Sequence, residues 1–433
     1  MVACSCGRRR HSTAWASADG FTPFRATIEG VDRVTPHLLH VLPGFAPGGT
    51  ELRLAKLINA IGPALRHTIL PLDGDRSAES ALDPSLEVRF AAPPPESGTL
   101  SRPRALRSLQ RALDPDVVIT YNWGATDMLL GAMWGARAKF IHNECGFGPD
   151  EAERMVPRRV WMRRLLLRRA EATVVVSEKL LTLARDEFQV PSSRLHFIRT
   201  GVDTDRFSPG RNDELRAKLG IPPSAVVFGF TGGLRPEKNL PLLIDAFGDA
   251  AIENVRLILV GDGGLRPELE ARVRERGLAG RVLFPGRAAD PLPWYRAFDV
   301  FVMSSVTEQT SNAQLEAMAC GLPCIVTDVG DCAALLERAE PWIVPSGDRI
   351  RYVEALKAAM SSRVRNTAAR GNRSRACEGY SLPRMVAEYA KLWFFLAKKP
   401  VPAAILERSN TEGKRSAANE AERKKPTPSG EAF

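Results

Sequence analysis

The sequence predicts an α/β protein of two domains, each a parallel sheet covered by helices on both faces, with the two facing across a cleft. Three observations carry that prediction. First, 433 residues exceed one ordinary core and suit two. Second, short and continuously apolar β-rich runs alternate with helical stretches, the mark of strands buried on both faces. Third, this series halts at a Gly/Asp/Pro-rich joint, TGVDTDRFSPG, and then starts again. The composition, 44% apolar and 25% charged, is that of a globular chain.

Residues 1–34 lack periodicity and are expected to form a disordered leader. The opening MVACSCGRRRHSTAWASADG has arginines but no apolar segment behind them, so it does not read as a secretory signal. Cys4 and Cys6 have no second pair nearby for a metal. The odd, scattered set of seven cysteines points to a reducing compartment rather than a disulfide framework.

Residues 35–205 are expected to form the first Rossmann-like domain, with strands in HLLHVLP, RHTILPL, DVVITYN, AKFIHN, ATVVVS and LHFI. Asp73 to Leu100 gives no readable pattern. RRVWMRRLLLRRAE, Arg158 to Glu171, concentrates positive charge, but at about 100° per residue its arginines fall nearly all round a helix. A solvated helix with some attraction to an anionic membrane is expected, not an in-plane amphipathic anchor.

Residues 206–380 repeat the scheme with VVFGFTG, RLILVGD, RVLFPG, DVFVMSS and LPCIVTD. Residues 381–399 read as a closing helix with a broad apolar face. Residues 400–433, polar and rich in Pro, Ser and Lys, are expected to be a disordered tail. No run of about 18 apolar residues predicts a spanning helix, and a cytoplasmic protein, at most peripheral on the inner membrane face, is expected.

A net charge of +10 suits nucleic acid, an anionic membrane surface or phosphate-bearing substrates. Basic patches interleaved with aromatics are missing, which sets nucleic acid aside. In open parallel sheets ligands sit beyond the carboxyl ends of strands, so the loops there are the candidates. PGFAPGGTEL follows the first strand. Gly48 and Gly49 allow backbone amides to approach a ligand, although a tight turn explains them equally. FTGGLRPEKNL follows the first strand of the second half. It sets Gly232 and Gly233 beside Arg235 and Lys238, a cluster suited to a diphosphate because arginine chelates two oxygens and lysine adds a point charge. LILVGDGGL is a third glycine turn that lacks the full dinucleotide spacing, and a plain turn explains it about as well as a ligand loop. In VLFPGRAADP, Gly286 and Arg287 are placed to border a base pocket.

SSVTEQTSNAQLEAMACG puts Glu308 in a loop and Glu316 inside the helix that follows. Ser311 and Gln314 form an S-x-x-Q capping box, so the helix should begin at Asn312 and offer the amides of Thr310, Ser311 and Asn312 to phosphate. Carboxylates repel phosphate, so the glutamates suit hydroxyls: one holding a sugar and the other a ribose. Two surface glutamates flanking a capped helix fit this segment alone about as well.

These motifs together resemble the retaining glycosyltransferases of family 4, of the GT-B fold. The likeness rests on GGLRPEKNLPLLIDAF, LVGDGG, VLFPG and EQTSNAQLEAMACGLPCIVTDVG, in which seven residues separate Glu308 from Glu316. VVVSEKL, FIRTGVDTDRFSP and PGGTEL extend it over about residues 37 to 397. YNWGATDMLLGAMWGA with FIHNECG looks most like the exopolysaccharide and lipopolysaccharide branch.

The resemblance implies a nucleotide-diphosphate sugar donor, a UDP- or GDP-sugar, and a saccharide or lipid-linked glycan acceptor. It implies Arg235 and Lys238 on the diphosphate, Glu316 on the ribose, Glu308 on the donor sugar, and the Gly48–Gly49 loop closing over both substrates. No metal and no cofactor beyond the co-substrate are expected. Two positions depart from the pattern. Gln309 replaces the usual glycine after the first glutamate, and Cys145 stands where a second, functional histidine is common; His142 and Glu144 remain as polar catalytic candidates. A sugar-nucleotide epimerase of the same fold and an inactive nucleotide-sugar-binding protein are the rival functions.

Overall fold

The computed structural model describes residues 35–95, 101–132, 138–147, 151, 155–337 and 341–409. The leader, Cys4 and Cys6, part of the YNWGATDMLLGAMWGA stretch, and the chain beyond 409 lie outside the described residues.

Among the described residues thirteen strands form two sheets, and every pairing within them is parallel. The first sheet contains β1 (His37–Leu42), β2 (Arg66–Pro71), β3 (Val88–Phe90), β4 (Val117–Tyr121), β5 (Lys139–Glu144), β6 (Ala172–Val175) and β7 (Leu195–Phe197), in the order β3-β2-β1-β4-β5-β6-β7. The second contains β8 (Val226–Thr231), β9 (Val255–Val260), β10 (Val282–Gly286), β11 (Val300–Met303), β12 (Cys324–Thr327) and β13 (Ile343–Val344), in the order β10-β9-β8-β11-β12-β13. Each sheet therefore grows outward in both directions from its first strand. The points where the order reverses, β1/β4 and β8/β11, leave crevices beyond the strand ends, the usual seat of ligands in such sheets.

The apolar runs form strands because both their faces are covered: β1, β4 and β8 are buried at every residue. One core fills the second domain, while two clusters cover the two faces of the first sheet. The helix Leu382–Leu396 adds Met385, Tyr389, Trp393 and Phe394 to one of these first-domain clusters, although it follows the second domain in sequence. A β-bridge between Val202 and Ser381 marks where the chain passes between the domains for the second time.

Two expectations are corrected. The polar tail does not begin at 400 as disordered chain: residues 403–409 are helical, and Ile405 is buried against the first-domain core, an apolar anchor within a polar segment. The arginine-rich helix, Pro157–Leu167, is not solvated all round. Leu166 and Leu167 are buried, and so is Arg163, because two carboxylates meet its guanidinium. Trp161 stands out into solvent at 62% exposure, and Arg158 is exposed as well.

Candidate functional site

A cleft of about 620 Å³ lies between the strand ends of the two sheets, within the range of small-ligand sites. From the first domain its wall takes Gly49, Thr50, Glu51, Arg53, Asn122, Trp123, Cys145, Arg159 and Thr200; from the second, Arg235, Glu237, Lys238, Glu308, Gln309, Thr310 and Asn312.

The second-domain wall is two loops stitched together. After β8 the chain turns through Gly232–Gly233 to the short 3-10 turn Pro236–Lys238 and the helix Leu240–Asp249. After β11, the Ser304 hydroxyl donates to the carbonyls of Lys238 and Asn239 at 2.8 and 3.0 Å, and the Val306 amide donates to the Glu237 carbonyl at 2.9 Å. The loop bearing Glu308 is thus fixed to the loop bearing Lys238. Lys238 Nζ pairs directly with Glu308 Oε1, which also accepts from the Ser305 hydroxyl at 2.9 Å. Arg235 is 65% exposed and lies 4.0 Å from Glu237, so its guanidinium is open to a ligand.

A third loop buttresses this pair. A Cβ at Gly330 (φ +54°) would stand 2.3 Å from the Glu308 carbonyl oxygen, and the Asp331 amide donates to the Gln309 carbonyl at 2.8 Å. Only glycine fits that approach. The LVGDGG turn is built on the same close approach. A Cβ at Gly261 would fall 1.8 Å from the Gly232 carbonyl oxygen, so the two glycine turns pack backbone against backbone.

The helix Asn312–Ala319 begins where its capping serine places it, with Ser311 Oγ accepting from the Gln314 amide at 3.3 Å. The reciprocal half of the capping box is absent. Gln314 Nε2 donates instead to the Cys332 carbonyl at 2.8 Å, in the buried space beneath β12. Glu316 follows on this helix. Burial raises its carboxyl above the ordinary value of 4.5, with Lys56 at 3.7 Å and the Tyr295 hydroxyl at 3.0 Å pulling the other way. Tyr295 also shares a 2.6 Å hydrogen bond with Thr231 at the end of β8.

The domains touch at this rim. Lys56, from the helix Gly49–Ile61, reaches Glu316. Ser177 Oγ donates to Gln309 Oε1 at 3.1 Å, the Thr310 hydroxyl donates to the Val176 carbonyl at 3.2 Å, and the Asp331 carboxylate accepts the Glu178 amide at 2.9 Å.

Both domains are similar to known proteins. Residues 48–201 match the family model for the glycosyl transferase 4-like domain, and residues 225–362 that for glycosyl transferases group 1. EpsF of Bacillus subtilis, which carries a glycosyltransferase name, is 32% identical over 308 residues, covering 67% of this chain and 79% of EpsF. The chain belongs to the family-4-like, group 1 glycosyltransferases. The lipopolysaccharide core biosynthesis mannosyltransferase LpsB of Rhizobium meliloti is 32% identical over 222 residues, 48% of this chain and 61% of LpsB. Among solved structures, Anabaena HepE in complex with UDP superposes with a TM-score of 0.71 at 20% identity, over 82% of this chain and 99% of that one, a likeness of GT-B fold.

In this glycosyltransferase the candidate residues divide. Gly49, Arg235, Lys238, Glu308, Thr310 and Asn312 share the cleft. A Cβ at Gly49 would lie 3.6 Å from the side-chain amide nitrogen of Asn312, so the first glycine loop meets the helix start across the gap. Gly48 caps the helix Gly49–Ile61. Gly232, Gly233, Ser311 and Glu316 support or flank the wall without lining it. Gly286 ends β10, two strands from β8, and is not part of the cleft.

The expectation that His142 and Glu144 act in catalysis is corrected. Both are fully buried on one face of β5 and neither reaches the cleft wall. His142 Nδ1 shares a 2.9 Å hydrogen bond with the Thr120 hydroxyl, and Glu144 accepts from Arg163 Nε at 3.0 Å. Cys145, the next residue, does reach the cleft; burial holds its thiol above the usual range. Sequence reasoning also missed Lys56, Tyr295, Asp331 and Arg53, whose types and local spacing carry no mark of the partners they find.

Proposed function

We propose that the protein transfers a sugar from a UDP- or GDP-sugar to a saccharide or lipid-linked glycan, with retention of anomeric configuration, in the building of a cell-surface polysaccharide. The observation that carries this is the joining of Arg235, Lys238 and Glu308 with the start of the helix Asn312–Ala319 on one wall of an interdomain cleft. Relatives support it: EpsF and LpsB, and a 26% identical Escherichia coli enzyme named as a UDP-galactose:GlcNAc-diphosphoundecaprenol galactosyltransferase, of which the chain covers 68%. HepE has been solved with UDP-glucose.

Breaking the anomeric C–O bond builds positive charge on the sugar and negative charge on the departing diphosphate. Arg235, Lys238 and the helix-end amides stabilise the latter from fixed positions, without a metal in this scheme. Glu308 accepts hydroxyls of the transferred sugar, and Glu316 those of the ribose. No side chain on the wall is assigned as a nucleophile. The acceptor oxygen then attacks from the face the diphosphate leaves, and the leaving phosphate takes its proton. Closure of the two domains aligns donor and acceptor. Contact with an anionic membrane surface belongs to the same proposal, through the exposed arginines around Trp161.

A panel of UDP- and GDP-sugars, read by nucleotide release and by the anomeric configuration of the product, tests this. Arg235→Ala and Lys238→Ala should each weaken nucleotide binding about tenfold or more, since a hydrogen bond to a charged group contributes about 1.5–3 kcal/mol. An inverted product ends the same-face mechanism. Donor consumption that epimerises the sugar without acceptor product favours the epimerase instead.

A further inference from the structure

The first-domain wall holds three arginines, Arg53, Arg159 and Arg163. Arg53 lies one turn beyond Gly49 on the helix Gly49–Ile61. It is only 6% exposed, yet it lines the cleft. Among the described residues it makes no ion pair within 4.0 Å; its hydrogen-bond partners are Cys145 Sγ at 2.5 Å and Thr200 Oγ1 at 3.4 Å.

Neither partner is a counter-ion. Burial pushes the Cys145 thiol up, so it stays protonated at neutral pH, and Thr200 is neutral. A guanidinium remains charged throughout the physiological range, and a buried charge without an opposite charge is costly. The contrast with Arg163 is informative. That arginine is also buried and also lines the cleft, and it has two carboxylates: Glu144 at 3.0 Å and Glu151 at 2.9 Å. Both arginines line the cleft; the fold gives one of them two carboxylates and, among the described residues, the other none within 4.0 Å.

We infer that Arg53 is the anion seat of the acceptor subsite, and that the acceptor carries an oxyanion, phosphate or carboxylate, which supplies the missing counter-charge on binding. This rests on the glycosyltransferase function proposed above. The donor diphosphate has its own cations, Arg235 and Lys238, on the opposite wall. Arg53 comes from the first domain, beside Cys145 and Thr200. Its planar fork suits two oxygens of one phosphate or carboxylate.

The test fills the donor site with saturating UDP and titrates the protein with methyl phosphate, glucuronic acid and neutral methyl glucoside in a calorimeter. The wild type should bind at least one of the anions, and the two anion arms distinguish phosphate from carboxylate. Arg53→Gln should weaken that binding at least tenfold, Arg53→Lys less, while both keep the UDP Kd within twofold. Anion binding unchanged by Arg53→Gln, or no anion binding by the wild type, overturns the inference. A tenfold loss of UDP affinity in Arg53→Gln assigns the residue to the donor and equally overturns it. Arg53→Met, melted without anions, should have a Tm equal to or above wild type, because it removes an unpaired buried charge; a lowered Tm marks a structural role and overturns the inference. If the wild type binds no nucleotide, the proposed function fails, whereas anion binding to the nucleotide-free protein still reports on Arg53 alone.

Discussion

Replacing Glu308 with glutamine should tighten the binding of UDP and, at the same time, slow sugar transfer. Lys238 is held by Glu308 through an ion pair whose side chains are 21% and 14% exposed. Lys238 cannot give its full charge to a diphosphate while it neutralises this carboxylate, and the carboxylate also repels the incoming phosphates. Glutamine keeps the shape and removes the charge. Partly exposed ion pairs contribute about 0.2–1 kcal/mol; the low exposure here favours the upper end, and relief of about 1 kcal/mol is about fivefold in Kd. Transfer moves the other way. Exchanging a charged acceptor for a neutral one at a sugar hydroxyl loses about 1–2 kcal/mol, and positive charge growing on the sugar adds to the loss, so kcat should fall at least about tenfold. Calorimetric titration with UDP at two ionic strengths gives the first quantity, since added salt should narrow the difference. Timed nucleotide release with acceptor present gives the second. Weaker UDP binding in Glu308→Gln, or transfer at the wild-type rate, would refute the assignment of Glu308 to the sugar beside a phosphate-binding Lys238.

Three further outcomes can be measured. Burial raises the Glu316 carboxyl above 4.5, and its ionised form is the stronger acceptor for ribose hydroxyls. UDP affinity should therefore fall more steeply in the wild type than in Glu316→Gln as pH drops from 7 to 5; equal slopes would remove Glu316 from the ribose. Burial, with the nearby His37 adding to it, lowers the His67 pKa from 6.5 to about 3. The unfolded chain then binds the extra proton, so this stabilisation is complete above pH 6.5 and declines as pH falls toward 3, by about 2 kcal/mol between pH 7 and 5. Urea midpoints should show that decline reduced in His67→Asn, and identical pH slopes in the two proteins would contradict it. The Asp331 carboxylate accepts the Glu178 amide at 2.9 Å across the domain boundary, at the start of the helix Glu178–Asp186. Asp331→Ala should cost about 1 kcal/mol, as loss of a helix cap does, and speed hydrogen exchange at Gln309 to Asn312; unchanged exchange there would separate Asp331 from the cleft.

The sequence by itself determined the architecture and most of the second-domain wall. Short apolar runs rich in β-branched residues and bounded by turns favour strands buried on both faces, and the Gly-Gly, Arg-x-x-Lys and Ser-capped segments act over a few residues, so their meaning is local. Its misses are also physical. β3 and β13 are three and two residues long at the sheet edges, too short for a pattern. Ser311 caps its helix as read, but Gln314 turns to Cys332, eighteen residues away, because that carbonyl lies within reach in the packed interior.

Tertiary structure alone decided which charges face ligand and which face each other. His142 and Glu144 end a strand, as catalytic residues often do, yet alternation along β5 and the arrival of Arg163 turn them inward. Arg53 stands alone between leucines and Arg163 in an arginine-rich helix, and both line the cleft, yet only Arg163 meets carboxylates, Glu144 and Glu151. The contacts that close the cleft, Lys56 to Glu316 and Asp331 to Glu178, join residues from different domains. Coulomb and hydrogen-bond energies depend on separation in space, and for such pairs packing of the two sheets, not spacing along the chain, sets that separation.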